Sequence, residues 1–231
     1  MKIGIIGAMD KEVDTLKAKM EHPVESTKAG RTFCQGRLGG MDCVVVVCGI
    51  GKVNAALCVQ IMADCYGVTH VINTGIAGSL DNRLDIGDIV ISTDLMYHDF
   101  DTTAFGDAWG QVSGVDVLAF PVDETLAKTA MECCETLGIH CTRGRVASGD
   151  QFICDGAVKD KIIEHTGASC TEMEGAAIAH AAYLNKLPVL VVRAISDKAD
   201  GEAEMDYPTF ANQTAQRCAA LVEQMLIRLS N

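Results

Sequence analysis

Positive charge is scarce in this sequence. Lys and Arg number 19 against 31 Asp and Glu, a formal net charge of −12. A sequence-independent grip on nucleic-acid phosphates needs the opposite balance, which argues against that class of partner. Proline is rare as well, 4 residues in 231 against 22 glycines, and no stretch is repetitive or of low complexity. There is therefore no rigid linker at which to divide the chain. No apolar run approaches the ~20 residues of a membrane span. The N-terminus, MKIGIIGAMDKEVD, turns acidic too soon for a signal peptide. Cysteine is plentiful at 11, but the number is odd, CxxC is missing, and Cys43, Cys48, Cys58 and Cys170 sit in apolar runs. They read as small buried hydrophobes in a reducing compartment. With 48% hydrophobic residues there is material for a sizeable core. The expectation is one cytoplasmic domain over residues 1–231, free of membrane and nucleic acid.

Several familiar motifs are also missing. Gly49-Ile50-Gly51-Lys52 stands where a phosphate loop would, but the first glycine of GxxxxGK[ST] is absent and Val53 replaces the hydroxyl residue. GxGxxG fails because Asn54 occupies the third glycine position, which disfavours a dinucleotide-binding oxidoreductase. His98-Asp99-Phe100-Asp101 could ligate a metal, yet no HExxH or matching set accompanies it, and a polar loop is the commoner reading.

What is present alternates between two periods. Residues 2–7 form an apolar strand, and Val13, Leu16 and Met20 give the next helix its inner face, with Asp10 as N-cap. Residues 32–38 and 42–48 flank Gly39-Gly40 as a hairpin. A helix follows over 53–66, then a strand over 69–73 that ends in a glycine-rich turn, 74–79. Strands are expected at 88–97 and 144–148, and helices at 122–137, 156–165 and about 208–229. Ala211, Ala215, Cys218, Val222, Met225 and Leu229 form the last helix's core stripe. The segment 103–118 holds Phe105, Trp109 and three glycines, too apolar for an ordinary solvent loop, and reads as local packing or a subunit contact.

The chain is organised around residues 172–200, which read as strand end, helix, buried strand and polar strand end. Glu172 and Glu174 stand at the mouth of the first strand and Asp197 at the mouth of the second. In an α/β sheet, ligands bind beyond the carboxyl ends of strands. Carboxyl groups converging there suit acid/base chemistry on a neutral or cationic centre. Glu12, in a helix's first turn, is by itself better explained as complementing the helix dipole.

Eight segments, in this order and spacing, carry a resemblance: KIGIIGAM with Glu12, the turn at 48–52, NTG-x-AG at 73–78, GDIV at 87–90, YHD at 97–99 with TAFG at 103–106, SGD-x-FI at 148–153, EMEGAAIAH at 172–180 and VVRAISD at 191–197. Over nearly its whole length the chain resembles the 5′-methylthioadenosine/S-adenosylhomocysteine nucleosidases of the purine-nucleoside-phosphorylase-like superfamily. The resemblance implies a three-layer α/β/α sandwich with a central mixed sheet, a homodimer, and no cofactor or metal. It implies hydrolysis of the N-glycosidic bond of methylthioadenosine, S-adenosylhomocysteine and 5′-deoxyadenosine to adenine, in methionine salvage. Glu12 would activate water and Asp197 would protonate adenine N7. Glu174 and Met173 would hold the ribose, with Glu172 beside them. Phe152 would stack on the base and the Ile153 backbone would read its edge. Ala8, Met9, Ala77 and Gly78 would line the pocket. Ile50, Met173 and Phe210 would shape the alkylthio end, with Thr103 and Phe105 of a second subunit. Arg193 and Ser196 would orient Asp197.

The chemistry fits the residues independently. Breaking a nucleoside C–N bond builds positive charge on the sugar and negative charge on the base. One carboxylate beside the sugar and one acid aimed at the base answer both, as in sugar hydrolysis. Ile76 departs from the small hydroxyl residue common in relatives, which touches substrate preference. A phosphorylase would need Arg or helix N-termini converging on phosphate. A hydrolase of aminodeoxyfutalosine would use the same residues, and a ligand sensor would have little need to keep Glu12, Glu174 and Asp197 together.

Overall fold

The computed structural model describes residues 1–230, without the side chains of Glu204 and Met205; Asn231, the end of the expected domain, lies outside the described residues. β1 (Lys2–Gly7) leads into α1 (Asp10–Ala18). A meander of β2 (Glu21–Lys28), β3 (Arg31–Leu38) and β4 (Met41–Val47) follows, then α2 (Lys52–Tyr66), β5 (His70–Ser79), β6 (Ile89–Tyr97) and β7 (Phe120–Pro121). The rest runs α3 (Glu124–Leu137), β8 (Cys141–Ser148), α4 (Gly156–Thr166), β9 (Cys170–Glu172), α5 (Gly175–Leu184), β10 (Val189–Asp197) and α6 (Ala203–Leu229).

The sheet is mixed and covered on both faces. β1 pairs in parallel with β4 and β5, and β5 in parallel with β10. β3 joins β4 antiparallel, and β6 joins β10 antiparallel. Part of the sheet closes on itself: β5, β10, β6, β8 and β9 pair in a ring, from which β1, β4, β3 and β2 extend. Alternation explains why the central strands are apolar throughout. Ile3, Ile5, Cys43 and Val45 point to α1, α3 and α6, whereas Ile6, Val44 and Val46 point to α2 and α5. Each such fully buried side chain is worth roughly 1.5–3 kcal/mol.

Local signals set the turns. Gly39 and Gly40 hold φ +58° and +84°, the two positive values a two-residue hairpin loop requires. Four expectations need correction. Met9, not Asp10, is the N-cap of α1, because the carboxylate of Glu12 reaches back to the free N–H groups there. β5 runs on through the glycine-rich turn expected at 74–79. α6 begins at Ala203, ahead of Pro208. β2 has no counterpart among the expected strands.

Candidate active site

The carboxyl ends of β1, β5, β9 and β10 converge on a cavity of about 450 Å³. Ala8, Met9 and Glu12 line it from the β1–α1 turn, Ile50 from the β4–α2 turn, and Ile76, Ala77 and Gly78 from β5. Glu172, Met173 and Glu174 come from the end of β9, Ser196 and Asp197 from the end of β10, and Phe152 and Tyr207 from the loop before α4 and the first turns of α6. The residues expected at 8, 9, 12, 50, 77–78, 152, 172–174 and 196–197 are thus brought together.

Glu12 is almost wholly buried. Its Oε2 accepts from the backbone N–H of Ala8 (2.7 Å) and Met9 (3.0 Å), and its Oε1 from Ile76 (3.1 Å). Burial raises its pKa above the ordinary carboxylate value, while Arg193 and these three N–H groups hold it partly back. The helix cap and the pocket carboxylate are the same group. Gly75 provides the room: a Cβ there would lie 2.0 Å from Arg193 Nη1 and 2.6 Å from Glu12 Oε1. The glycine of the Asn-Thr-Gly segment therefore admits the protein's own charges.

Glu174 caps α5 and its Oε1 accepts from Gly51 N at 2.8 Å. Lys52 N donates to Asp150 Oδ1 at 2.9 Å. The N-terminus of α2, where a phosphate loop would hold an anion, is thus occupied by carboxylates of the chain itself. Burial, and next the neighbouring Glu172, raise the pKa of Glu174. Glu172 faces inward. It accepts from Ser148 Oγ, from the N–H of Glu174 (3.1 Å) and Gly175 (2.8 Å), and from Arg193. Arg193 is fully buried and also donates to Asn73 Oδ1.

Asp197 is 2% exposed. Ser196 Oγ donates to its Oδ2 at 2.8 Å and Ala199 N to its Oδ1 at 2.9 Å. Burial raises its pKa despite these two donors. Gly78 lets it approach, since a Cβ there would meet Asp197 Oδ1 at 2.7 Å.

Other expected residues fall elsewhere. Ser196 touches Asp197 as expected, but Arg193 binds Glu172 and Asn73. Four residues of strand, about 13 Å at 3.3 Å each, separate its backbone from Asp197. Phe210 lines a separate hollow with Ile86 and Gly87. Three residues along a helix carry a side chain about 4.5 Å along the axis, so the ring at the mouth is Tyr207. Its hydroxyl reaches Met9 Sδ at 3.2 Å, and its ring meets Phe152 edge-on at 5.6 Å. Sequence reading passed over Tyr207; the signal was an aromatic just ahead of Pro208. It also passed over Thr171, which lines the cavity with a buried Oγ1 that has no partner among the described residues. The Ile153 side chain packs with Leu80 and Ala199 beneath the site. Thr103 and Phe105 form a short helical turn outside the cavity, Phe105 86% exposed. Asp99 is engaged by Lys52 (2.6 Å) and by Asp150 N (2.9 Å).

The sequence pattern of the phosphorylase superfamily matches residues 2–227. A 5′-methylthioadenosine/S-adenosylhomocysteine nucleosidase of Psychromonas ingrahamii is 40% identical over 234 residues, spanning 100% of both chains. The nucleosidase of that name from Colwellia psychrerythraea 34H, solved with adenine, superposes with a TM-score of 0.95 at 40% identity, over 98% of this chain and 94% of that one. A futalosine hydrolase of Helicobacter pylori superposes with a TM-score of 0.94 at 32% identity, over 99% of this chain and 98% of that one. This chain belongs to the phosphorylase superfamily and groups with its 5′-methylthioadenosine/S-adenosylhomocysteine nucleosidases.

Proposed function

We propose that the chain hydrolyses the N-glycosidic bond of 5′-methylthioadenosine and S-adenosylhomocysteine, releasing adenine and the thioribose. The observation that carries this reading is the meeting of Glu12, Glu174 and Asp197 around one cavity, each buried and each with a raised pKa. Glu12 takes a proton from water as its oxygen bonds to the anomeric carbon. The C–N bond breaks, its electron pair leaves with adenine, and Asp197 delivers a proton to N7. Glu174, with Met173, holds the ribose and stabilises the positive charge that develops on it. Phe152 stacks on the base, and the Ile153 backbone reads its edge. Met9, Ile50 and Met173 supply the apolar end for the thioether.

A phosphorolytic reaction finds no support in this cavity. Among the described residues its lining carries no Lys or Arg, and the nearby helix N-terminus already holds Glu174 and Asp150. Adenine release from methylthioadenosine in phosphate-free buffer is the test. Adenine with free methylthioribose supports the hydrolase. A product that forms only with phosphate, as a sugar 1-phosphate, overturns it. Turnover of aminodeoxyfutalosine alone would shift the substrate, a reading favoured by the Helicobacter pylori likeness.

We further read the chain as one cytoplasmic domain working as a homodimer. Ile50, 54% exposed, lines the cavity, Val53 (79%) follows it in the first turn of α2, and Phe105 is exposed at the end of its short helical turn. In this reading Thr103 and Phe105 of one subunit complete the alkylthio end of the other. Light scattering should give twice the chain mass; a fully active monomer would reject the dimer.

A further inference from the structure

Asp197 depends on a short turn that the chain does not favour on its own. Ala199 holds φ +51°, in the left-handed region alanine rarely adopts, and it is fully buried there. In that conformation its N–H donates to Asp197 Oδ1 at 2.9 Å. The same peptide unit carries the carbonyl of Lys198, and in a trans peptide C=O and N–H point in opposite directions. On the carbonyl side stands Lys159, from α4, whose Nζ donates to Lys198 O at 2.6 Å. Lys159 is only 8% exposed. One turn further along α4, Ile162 packs in the cluster that contains Ala199. On the other side of the turn, Lys198 Nζ donates to Leu84 O.

We propose that Lys159 is a positioning residue for the proposed acid: by holding the Lys198 carbonyl it aims the Ala199 N–H at Asp197 Oδ1 and leaves Oδ2, with only Ser196 Oγ beside it, to carry the transferred proton. This rests on the reading of Asp197 as the proton donor. Lys159 touches no substrate; it acts through one peptide group. A cation on the carbonyl polarises that peptide and strengthens the donor on its far side. It also offsets the conformational cost of Ala199. Nothing in the sequence marks it, because Lys159 lies on an otherwise ordinary amphipathic stretch.

The consequence is readable in a pH profile. Burial above all, then Asp206 from α6 and Asp200 from the same turn, push the Asp197 pKa up, whereas the Ser196 hydroxyl and the Ala199 N–H hold it down. Tyr207 is the other titratable group of α6 facing it, and Lys159 and Lys198 are the cations beside the turn. Loss of Lys159 removes a positive charge and loosens the donor, and both changes raise the Asp197 pKa. In Lys159→Met the alkaline limb of kcat is expected to move to higher pH. Its plateau should fall roughly 3- to 10-fold, the worth of one hydrogen bond, with KM for methylthioadenosine nearly unchanged. Lys159→Arg, which keeps a cationic donor, should restore both.

An unmoved limb with a normal plateau in a folded Lys159→Met protein overturns the proposal. So does a plateau that falls only in proportion to the loss of folded protein, followed by circular dichroism, with the limb unmoved. Asp197→Asn run alongside separates the two levels. If that variant is active, the assignment of the acid fails; if it is inactive while Lys159→Met behaves as wild type, the role of Lys159 fails.

Discussion

Asp197→Asn is expected to lower adenine release by on the order of 10²–10⁴-fold, the range a positioned acid supplies, while folding is preserved. The surroundings accept the amide without conflict. The asparagine oxygen keeps the Ala199 N–H, and the new NH₂ faces Ser196 Oγ, which can accept as well as donate. Glu12→Gln is expected to lose as much activity but also to cost stability. Both Glu12 oxygens accept backbone N–H groups, Oε2 from Ala8 and Met9 and Oε1 from Ile76. An amide has one acceptor, so its NH₂ must face a donor, at a cost of about 1–3 kcal/mol. Single-turnover adenine release and thermal melting on both variants separate chemistry from folding. Activity within about tenfold of wild type in either variant sinks that residue's role. The two groups are needed in opposite states, Glu12 ionised and Asp197 protonated. Burial raises both. In the wild type, kcat/KM should therefore fall on the acid side above the ordinary glutamate value of about 4.3, and on the alkaline side as Asp197 ionises. A rate that stays flat down to about pH 4 contradicts the base assignment.

How far the sequence speaks depends on whether a residue's job is local. β1 and β4 were legible because alternate side chains serve two buried faces, which forces a continuous apolar run. The hairpin was legible because Gly39 and Gly40 answer to backbone conformation. β2 was not, since it is an exposed edge strand with no buried face to impose alternation, and it tolerates Pro23. Gly75 and Gly78 carry no turn; they sit in a strand and leave room for side chains from residues 12, 193 and 197. That reason exists only after folding. Arg193 is the same kind of case. The family resemblance assigned it to Asp197, while the closed ring sets β9 and β10 on opposite sides of β5 and gives Arg193 Glu172 across the interior.

Arg193→Met is the second large effect expected, on stability. The guanidinium lies at the centre of a buried cluster, donating to Glu172 and Asn73 with Glu174 Oε2 at 3.8 Å. Burial alone would disfavour its charge; Glu172, Glu174 and Glu12 around it keep it firmly cationic. Methionine matches the aliphatic stem but leaves buried carboxylates without their cation. Removing one partner of a buried ion pair costs about 3–5 kcal/mol, and at roughly 2–4 °C per kcal/mol for a chain of this size the melting point should drop by about 6–20 °C. The pH dependence identifies the cause. The pKa of Glu174 is already raised in the folded state, and without Arg193 it rises further. An acid whose folded pKa exceeds its unfolded one contributes its full stability below the unfolded value and loses it as pH rises through the folded one. With Arg193 in place that pKa is already raised to about 7, so the part of the variant's deficit that tracks Glu174 should be small near about pH 6 and grow as pH rises to about 8. Adding Glu172→Gln, which removes one of the stranded charges, should recover part of it. A loss below about 1 kcal/mol, or a deficit equal at both pH values, would mean that the cluster is held by Ser148 and the backbone N–H groups of α5, with the guanidinium as a packing group.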